Sequence, residues 1–142
     1  MSLPNVVINY WGVVSAVIAS FILGFLWYHP MLFGKKWIKL NGFSKAEIRK
    51  HHKDKIMGRM VLMIFGTAIS AYILAYLAKV LTVGTFMQGV YLGVMLAVGF
   101  ILMTTLLGNV LWQRKPWALF ILDGAYWIID LALIGGIVAV WA

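Results

Sequence analysis

The chain has 142 residues, 63% of them hydrophobic and only 11% charged, with a formal net charge of +8. A soluble domain of this length draws about a quarter of its residues from the charged set to cover its surface, so this composition excludes a water-soluble fold and implies lipid as the solvent. Cysteine is absent, which excludes disulfides, thiolate metal sites and thiol catalysis.

The first apolar stretch, Val6 to Tyr28, carries no charge. No basic region precedes it and it is long for a cleaved leader, so it is expected to be a retained span. Pro30 cannot continue a helix, which ends the span near Trp27-Tyr28-His29-Pro30. Met60 to Ala78 and Val80 to Gln113 are likewise free of charge, and Trp117 to Ala142 holds two acids, Asp123 and Asp130. A helix needs about 20 residues to cross a hydrocarbon core of roughly 30 Å. The continuous apolar runs suit helices, whereas a barrel would show short alternating segments. The expected fold is therefore an all-α membrane protein, a four-transmembrane-helix bundle in one domain. Its spans are expected over residues 6–28, 59–80, 87–112 and 117–141, with a basic loop over 29–58. Thr82-Val83-Gly84-Thr85 makes the turn between the second and third spans, and Arg114-Lys115-Pro116 ends the third and opens the fourth. Tyr10, Trp11 and Trp141 are expected in one interface belt, and Trp27, Trp112 and Trp117 in the other.

Nine of the twelve Lys and Arg fall between Lys35 and Arg59. Clustered beside spans, they read as a topology signal and a contact for anionic headgroups, not as a nucleic-acid surface. With Arg114 and Lys115 the bias is eleven basic residues against Lys79 alone, which expects an inner (cytoplasmic) membrane location with both termini outside the cytoplasm. Within the loop, Met31, Leu32, Phe33, Trp37, Ile38 and Leu40 alternate with Lys35, Lys36 and Lys39. That mix suits an interfacial segment, with Lys35, Lys36, Trp37 and Lys39 on the headgroups. Ser44-Lys45-Ala46-Glu47 is a capping box, so a helix is expected from Ser44 through Ile48, His52 and Ile56 into the second span.

Small residues recur at intervals of four in Gly12, Ala16, Ser20 and Gly24, in Thr67, Ala71 and Ala75, and in Gly89, Gly93 and Ala97. Such stripes let backbones approach closely. Packing inside one bundle is the favoured reading, and a homo-oligomer interface is the other. Phe25-Leu26-Trp27 before Pro30 resembles Val110-Leu111-Trp112 before Pro116, which raises the reading of two repeated hairpins related by an axis along the membrane normal.

Asp123 and Asp130 stand two helical turns apart and share a face with Tyr126 and Trp127. At about 1.5 Å per residue they lie about 9 and 20 Å in from Trp117, the second close to the bilayer middle. An acid there costs about 2.5–3.5 kcal/mol on insertion scales, so it is expected to have a partner or a use. Arg59 is in reach of Asp123 from the second span, with Tyr28, His29, Asn109 and Gln113 at similar depth. Asp130 has only neutral candidates: Ser20, Thr67, Ser70, Thr104, Thr105 and the neighbouring rings. The expected intramembrane polar site is thus Asp130, Asp123, Tyr126, Trp127, Tyr28, His29, Asn109 and Arg59, suited to proton exchange or to a cationic ligand. The alternative is that each acid fixes helix register through a hydrogen bond, and this is favoured for Asp123, which is nearer water. A lipid-modifying enzyme would need a nucleophile or a metal set, and only His29 with Asp123 offers a pairing. The adjacent His51 and His52 point apart on a helix and make a poor metal pair. No metal or cofactor is expected.

Gly24-Phe25-Leu26-Trp27-Tyr28-His29-Pro30 with Phe33-Gly34-Lys35-Lys36-Trp37 resembles the N-terminal signature of small bacterial membrane proteins called domain of unknown function 1761. The likeness extends to four spans, a basic first loop, and a fourth span with an acid and a late Gly-Gly pair before a terminal Trp. The resemblance implies a four-helix membrane fold and no assigned activity or cofactor.

Overall fold

The computed structural model describes residues 3–53 and 56–142, and they are helical without a strand among them. Four helices among the described residues are long and apolar enough to span a membrane. The first is α1 (Tyr10–Trp27), which begins later than the apolar run suggests. Asn9 stops it: its side chain accepts from the Trp11 backbone N–H at 3.1 Å, an N-cap that leaves residues before it outside the helix. Ile8 nonetheless buries its side chain, and the Tyr76 hydroxyl donates to the Pro4 carbonyl at 2.9 Å, which pins the segment to the bundle.

After α1 the chain doubles back over Tyr28 to Phe33. The Gly34 N–H donates to the His29 carbonyl at 3.1 Å and the Met31 N–H to His29 Nδ1 at 3.2 Å. A Cβ on Gly34 would strike the Tyr28 carbonyl, so this turn is open only to glycine. Two short helices follow, α2 (Gly34–Asn41), closed by Gly42 in the left-handed conformation, and α3 (Lys45–Lys53). The capping box at the head of α3 is formed: the Ser44 N–H donates to Glu47 Oε2 at 2.6 Å and the Glu47 N–H to Ser44 Oγ at 3.2 Å. The expected continuity from α3 into the second span runs through the His52 side chain and residues 54–55, which lie outside the described residues.

The second span is α4 (Ile56–Val80), and the third combines α5 (Phe86–Leu96), a π-helical stretch (Ala97–Leu106) and α6 (Leu107–Leu111). A second capping box heads α5, with Thr85 and Gln88 satisfying each other's backbone N–H groups. The fourth span is α7 (Trp117–Val140), opened by Pro116 in an extended conformation.

The central helix is α7, which packs on α1, on α4 and along the whole third span. Between α5 and α7 the backbones touch. A Cβ on Gly89 would strike the Gly135 carbonyl, one on Gly93 the Leu131 carbonyl, and one on Gly136 the Phe86 ring at 2.6 Å. On the opposite flank, Gly12 admits Trp141 and Gly24 admits the Tyr126 hydroxyl, with Ala16 and Ser20 buried between them. The loop-distant part of the α1 stripe, Gly12 and Ala16, is thus used inside the bundle, while Gly24 stays half-buried. In lipid, where no hydrophobic force joins helices, this close van der Waals packing holds the spans together.

The packing of α4 is uneven. Ala71, Leu74, Ala75 and Ala78 are buried, whereas every residue from Ile56 to Gly66 is exposed. The two hairpins accordingly differ, one tight and one splayed at the end that carries the basic loop.

Candidate functional site

The inner face of α7 carries the polar groups. Near its start, Asp123 is half-buried and its Oδ1 accepts from the Tyr28 hydroxyl at 2.8 Å. The Trp37 side chain lies beside the same carboxylate. The turn at Gly34 and the amphipathic α2 place it there: Gly34, Trp37, Ile38 and Asn41 share the inward face, and Lys35, Lys36 and Lys39 are exposed. Trp37 packs edge-on against Tyr28 with centroids 5.5 Å apart and against Phe43 at 5.6 Å. Half-buried as it is, Trp37 joins the amphipathic α2 to the aromatic groups beside Asp123.

One turn deeper, Tyr126 meets Tyr28 edge-on at 5.0 Å and Trp27 at 6.2 Å, and Trp27 meets Phe33 at 4.7 Å. Trp27 thus packs its ring between the fold-back and α7. Ser20 of α1 neighbours both Tyr126 and Asp130. Asp130 is 2% exposed, and its Oδ1 has no hydrogen-bond partner among the described residues. An unsatisfied buried polar atom costs about 1–3 kcal/mol, more when charged. Asp123, Tyr28, Tyr126, Ser20 and Asp130 form a polar ladder from the loop end of α7 toward mid-span.

The remaining expected partners go elsewhere. Arg59 does not reach Asp123; its Nη1 lies 2.7 Å from His51 Nδ1 and 2.9 Å from Nε2. His29 turns toward Phe25, with ring centroids 5.6 Å apart, and anchors its own turn. Asn109 accepts from the Gln113 side chain at 3.0 Å and from the Lys115 backbone, closing the end of α6. The hydroxyls of Thr67, Ser70 and Thr104 bond back to Met63, Gly66 and Phe100 within their own helices. Trp27 and Trp37 join the site without having been placed in it from sequence, and of the hydroxyls considered for Asp130 it is Ser20 that lies beside it. For Trp37 the i, i+3, i+4, i+7 pattern of α2 was the available signal.

The splay of α4 opens two clefts onto this face. One, of about 420 Å³, lies between α4 and the third span and is lined by Thr67, Ser70, Trp127 and Asp130. The other, of about 580 Å³, lies between α4 and α1 and is lined by Ser20, Tyr28, Trp37, Tyr126 and Trp127, with Arg59 and His51 at its loop end.

Three apolar spans gathered around a fourth that carries a buried acid define a multi-pass helical membrane protein. The family model described as "Protein of unknown function (DUF1761)" matches residues 11–139, and the chain belongs to that family. No curated protein and no solved structure matches it.

Proposed function

We propose that the chain is a small proton-coupled or cation-transporting protein in which Asp130 is the exchanging group. The observation that carries this reading is the Asp130 carboxyl itself, buried at mid-span on the wall of a cleft, with one oxygen unengaged and no basic residue deep in any span. A carboxyl so placed keeps an acceptor available for an arriving proton or small cation, which a fixed ion pair would occupy. Ser20, Tyr126, Tyr28 and Asp123 line the approach from the loop end. For Asp123 a structural role is favoured by its hydrogen bond from Tyr28, which ties α7 to the end of α1.

The setting belongs to the same proposal. The eleven-to-one basic bias supports an inner-membrane location with both termini outside the cytoplasm, and the exposed Lys35, Lys36 and Lys39 support contact with anionic headgroups. A homo-oligomer belongs to the same reading, with the exposed loop-side half of α4 as a face that a second copy could cover.

The test reconstitutes wild type and Asp130→Asn in proteoliposomes and follows internal pH and small-cation uptake under an imposed gradient. The substitution keeps shape and hydrogen bonding but removes the titrating proton, so it should abolish the flux while folding is unchanged. A wild type without flux, together with an Asn variant as stable at every pH, would assign Asp130 to helix packing and end the transport reading.

A further inference from the structure

We infer that the cleft between α1 and α4 is a binding site for one anionic phospholipid, its headgroup at Arg59 and His51 and an acyl chain running inward along α4. The cleft shares Ser20, Tyr28 and Tyr126 with the approach to Asp130, but lipid retention is read without any flux, so the two readings can fail separately.

Three observations converge on this occupant. From Ile56 to Gly66, α4 touches none of the other spans closely enough to be shielded, so Met60 and Met63 present apolar surface to a space that only a neighbouring molecule can fill in a bilayer. The cleft is polarised. Its loop end carries the Arg59 guanidinium beside the His51 imidazole, while its depth is lined by Phe21, Phe25, Met63 and Trp127. That gradient, a cation at headgroup level above an apolar floor, matches an amphiphile with one negative head. A second protein helix would bring apolar surface to both ends and leave the guanidinium facing it. Size agrees as well: about 580 Å³ lies within the roughly 300–1,000 Å³ of small-ligand sites. From Arg59 to Thr67 the helix rises about 12 Å, room for much of one leaflet's acyl chain.

Native mass spectrometry after mild extraction from phosphatidylcholine bilayers containing a minority of phosphatidylglycerol tests the site. Wild type should retain a single phosphatidylglycerol in preference to phosphatidylcholine. Arg59→Gln should lower that retention about fivefold, the weight of one cation near a headgroup. Met63→Trp, which fills the cleft and leaves every charge in place, should lower it too. Replacing Lys35, Lys36 and Lys39 together with Gln should leave it intact, because those lysines lie outside the cleft. Equal retention of the two lipids, full retention in both cleft variants, or loss in the triple-lysine variant alone would overturn the assignment. So would efficient Met63→Cys cross-linking between two copies with no lipid retained, since a second chain would then occupy the cleft.

Discussion

Replacing Gly93 with Ala adds one methyl group at the tightest point between α5 and α7. The new Cβ would fall on the Leu131 carbonyl and 2.9 Å from the Ala132 nitrogen. Both are backbone atoms, so no side-chain rotation relieves the contact and the two helices must separate. Overpacking of this kind costs about 1–3 kcal/mol, and a backbone-on-backbone clash belongs at the upper end. Ala regains about 0.5–1 kcal/mol in a helix interior relative to Gly, which leaves a net loss of about 2 kcal/mol, or roughly thirtyfold in the folded-to-unfolded ratio. Gly66→Ala is the internal control. Nothing lies within 4 Å of its Cβ position, so it should gain about 0.5–1 kcal/mol from propensity alone. The pair should therefore differ by about 3 kcal/mol in unfolding by added dodecyl sulfate in mixed micelles, followed by circular dichroism. A Gly93→Ala protein as stable as Gly66→Ala would refute the claim that backbone contact at Leu131 holds these spans together.

Tyr28→Phe should destabilise the bundle by about 1–2 kcal/mol through loss of the hydroxyl bonded to Asp123. Adding Asp123→Asn should then cost less than it does alone, as a double-mutant cycle in the same micelles would reveal. Ser44→Ala should unwind the start of α3, measured by amide exchange near Lys45. The same segment should loosen in acid: the Ser44 N–H and hydroxyl hold the Glu47 carboxyl below its ordinary range. A depressed carboxylate contributes its stability above the unfolded value of about 4.3 and loses it as pH falls through the lower folded value. Cysteine labels placed at Ser2 and Lys45 should react from opposite sides of intact cells, Ser2 from outside; labelling of Ser2 only from the cytoplasm would reverse the orientation.

The four spans were legible because an uncharged run of this length has no other stable home, and Pro30 and Pro116 mark ends by the geometry of their rings. Ser44 with Glu47 announced α3 for a similar reason, since both partners lie within four residues. What escaped was tertiary. The Asn9 cap was readable, but the apolar residues before it drew the span outward. Indole rings favour interfaces as a general habit, and no local pattern tells that the fold-back at Gly34 also packs Trp27 on Tyr126 and Trp37 on Tyr28. Arg59 lay at the right depth for Asp123 along the chain axis. The outward lean of α4 gives it to His51 instead, and no local pattern in α4 encodes that lean. Asp130 was conspicuous from sequence because of its depth. Which of five hydroxyls would stand beside it depended on helix rotation, and Ser20 alone faces inward from α1 while Thr67, Ser70 and Thr104 turn back on their own carbonyls.

Because the buried residues of α4 all lie between Ala71 and Ala78, the helix resembles a lever held at one end and tied at the other by the Arg59–His51 contact alone among the described side chains. Its free arm from Ala71 to Arg59 is about 18 Å long. A rotation of about 10° at the clamped end carries the Arg59 backbone about 3 Å by that lever length, comparable to the length of a hydrogen bond. The clamp is built of small side chains, Ala71, Ala75 and Ala78 around Leu74, which resist approach but offer little interlocking against such a rotation. Lateral pressure in a surrounding bilayer would act on the exposed flank from Met57 to Phe65, so a change in membrane thickness or tension is expected to change the angle of this arm. The width of both clefts beside α4 should then vary with the membrane around the protein.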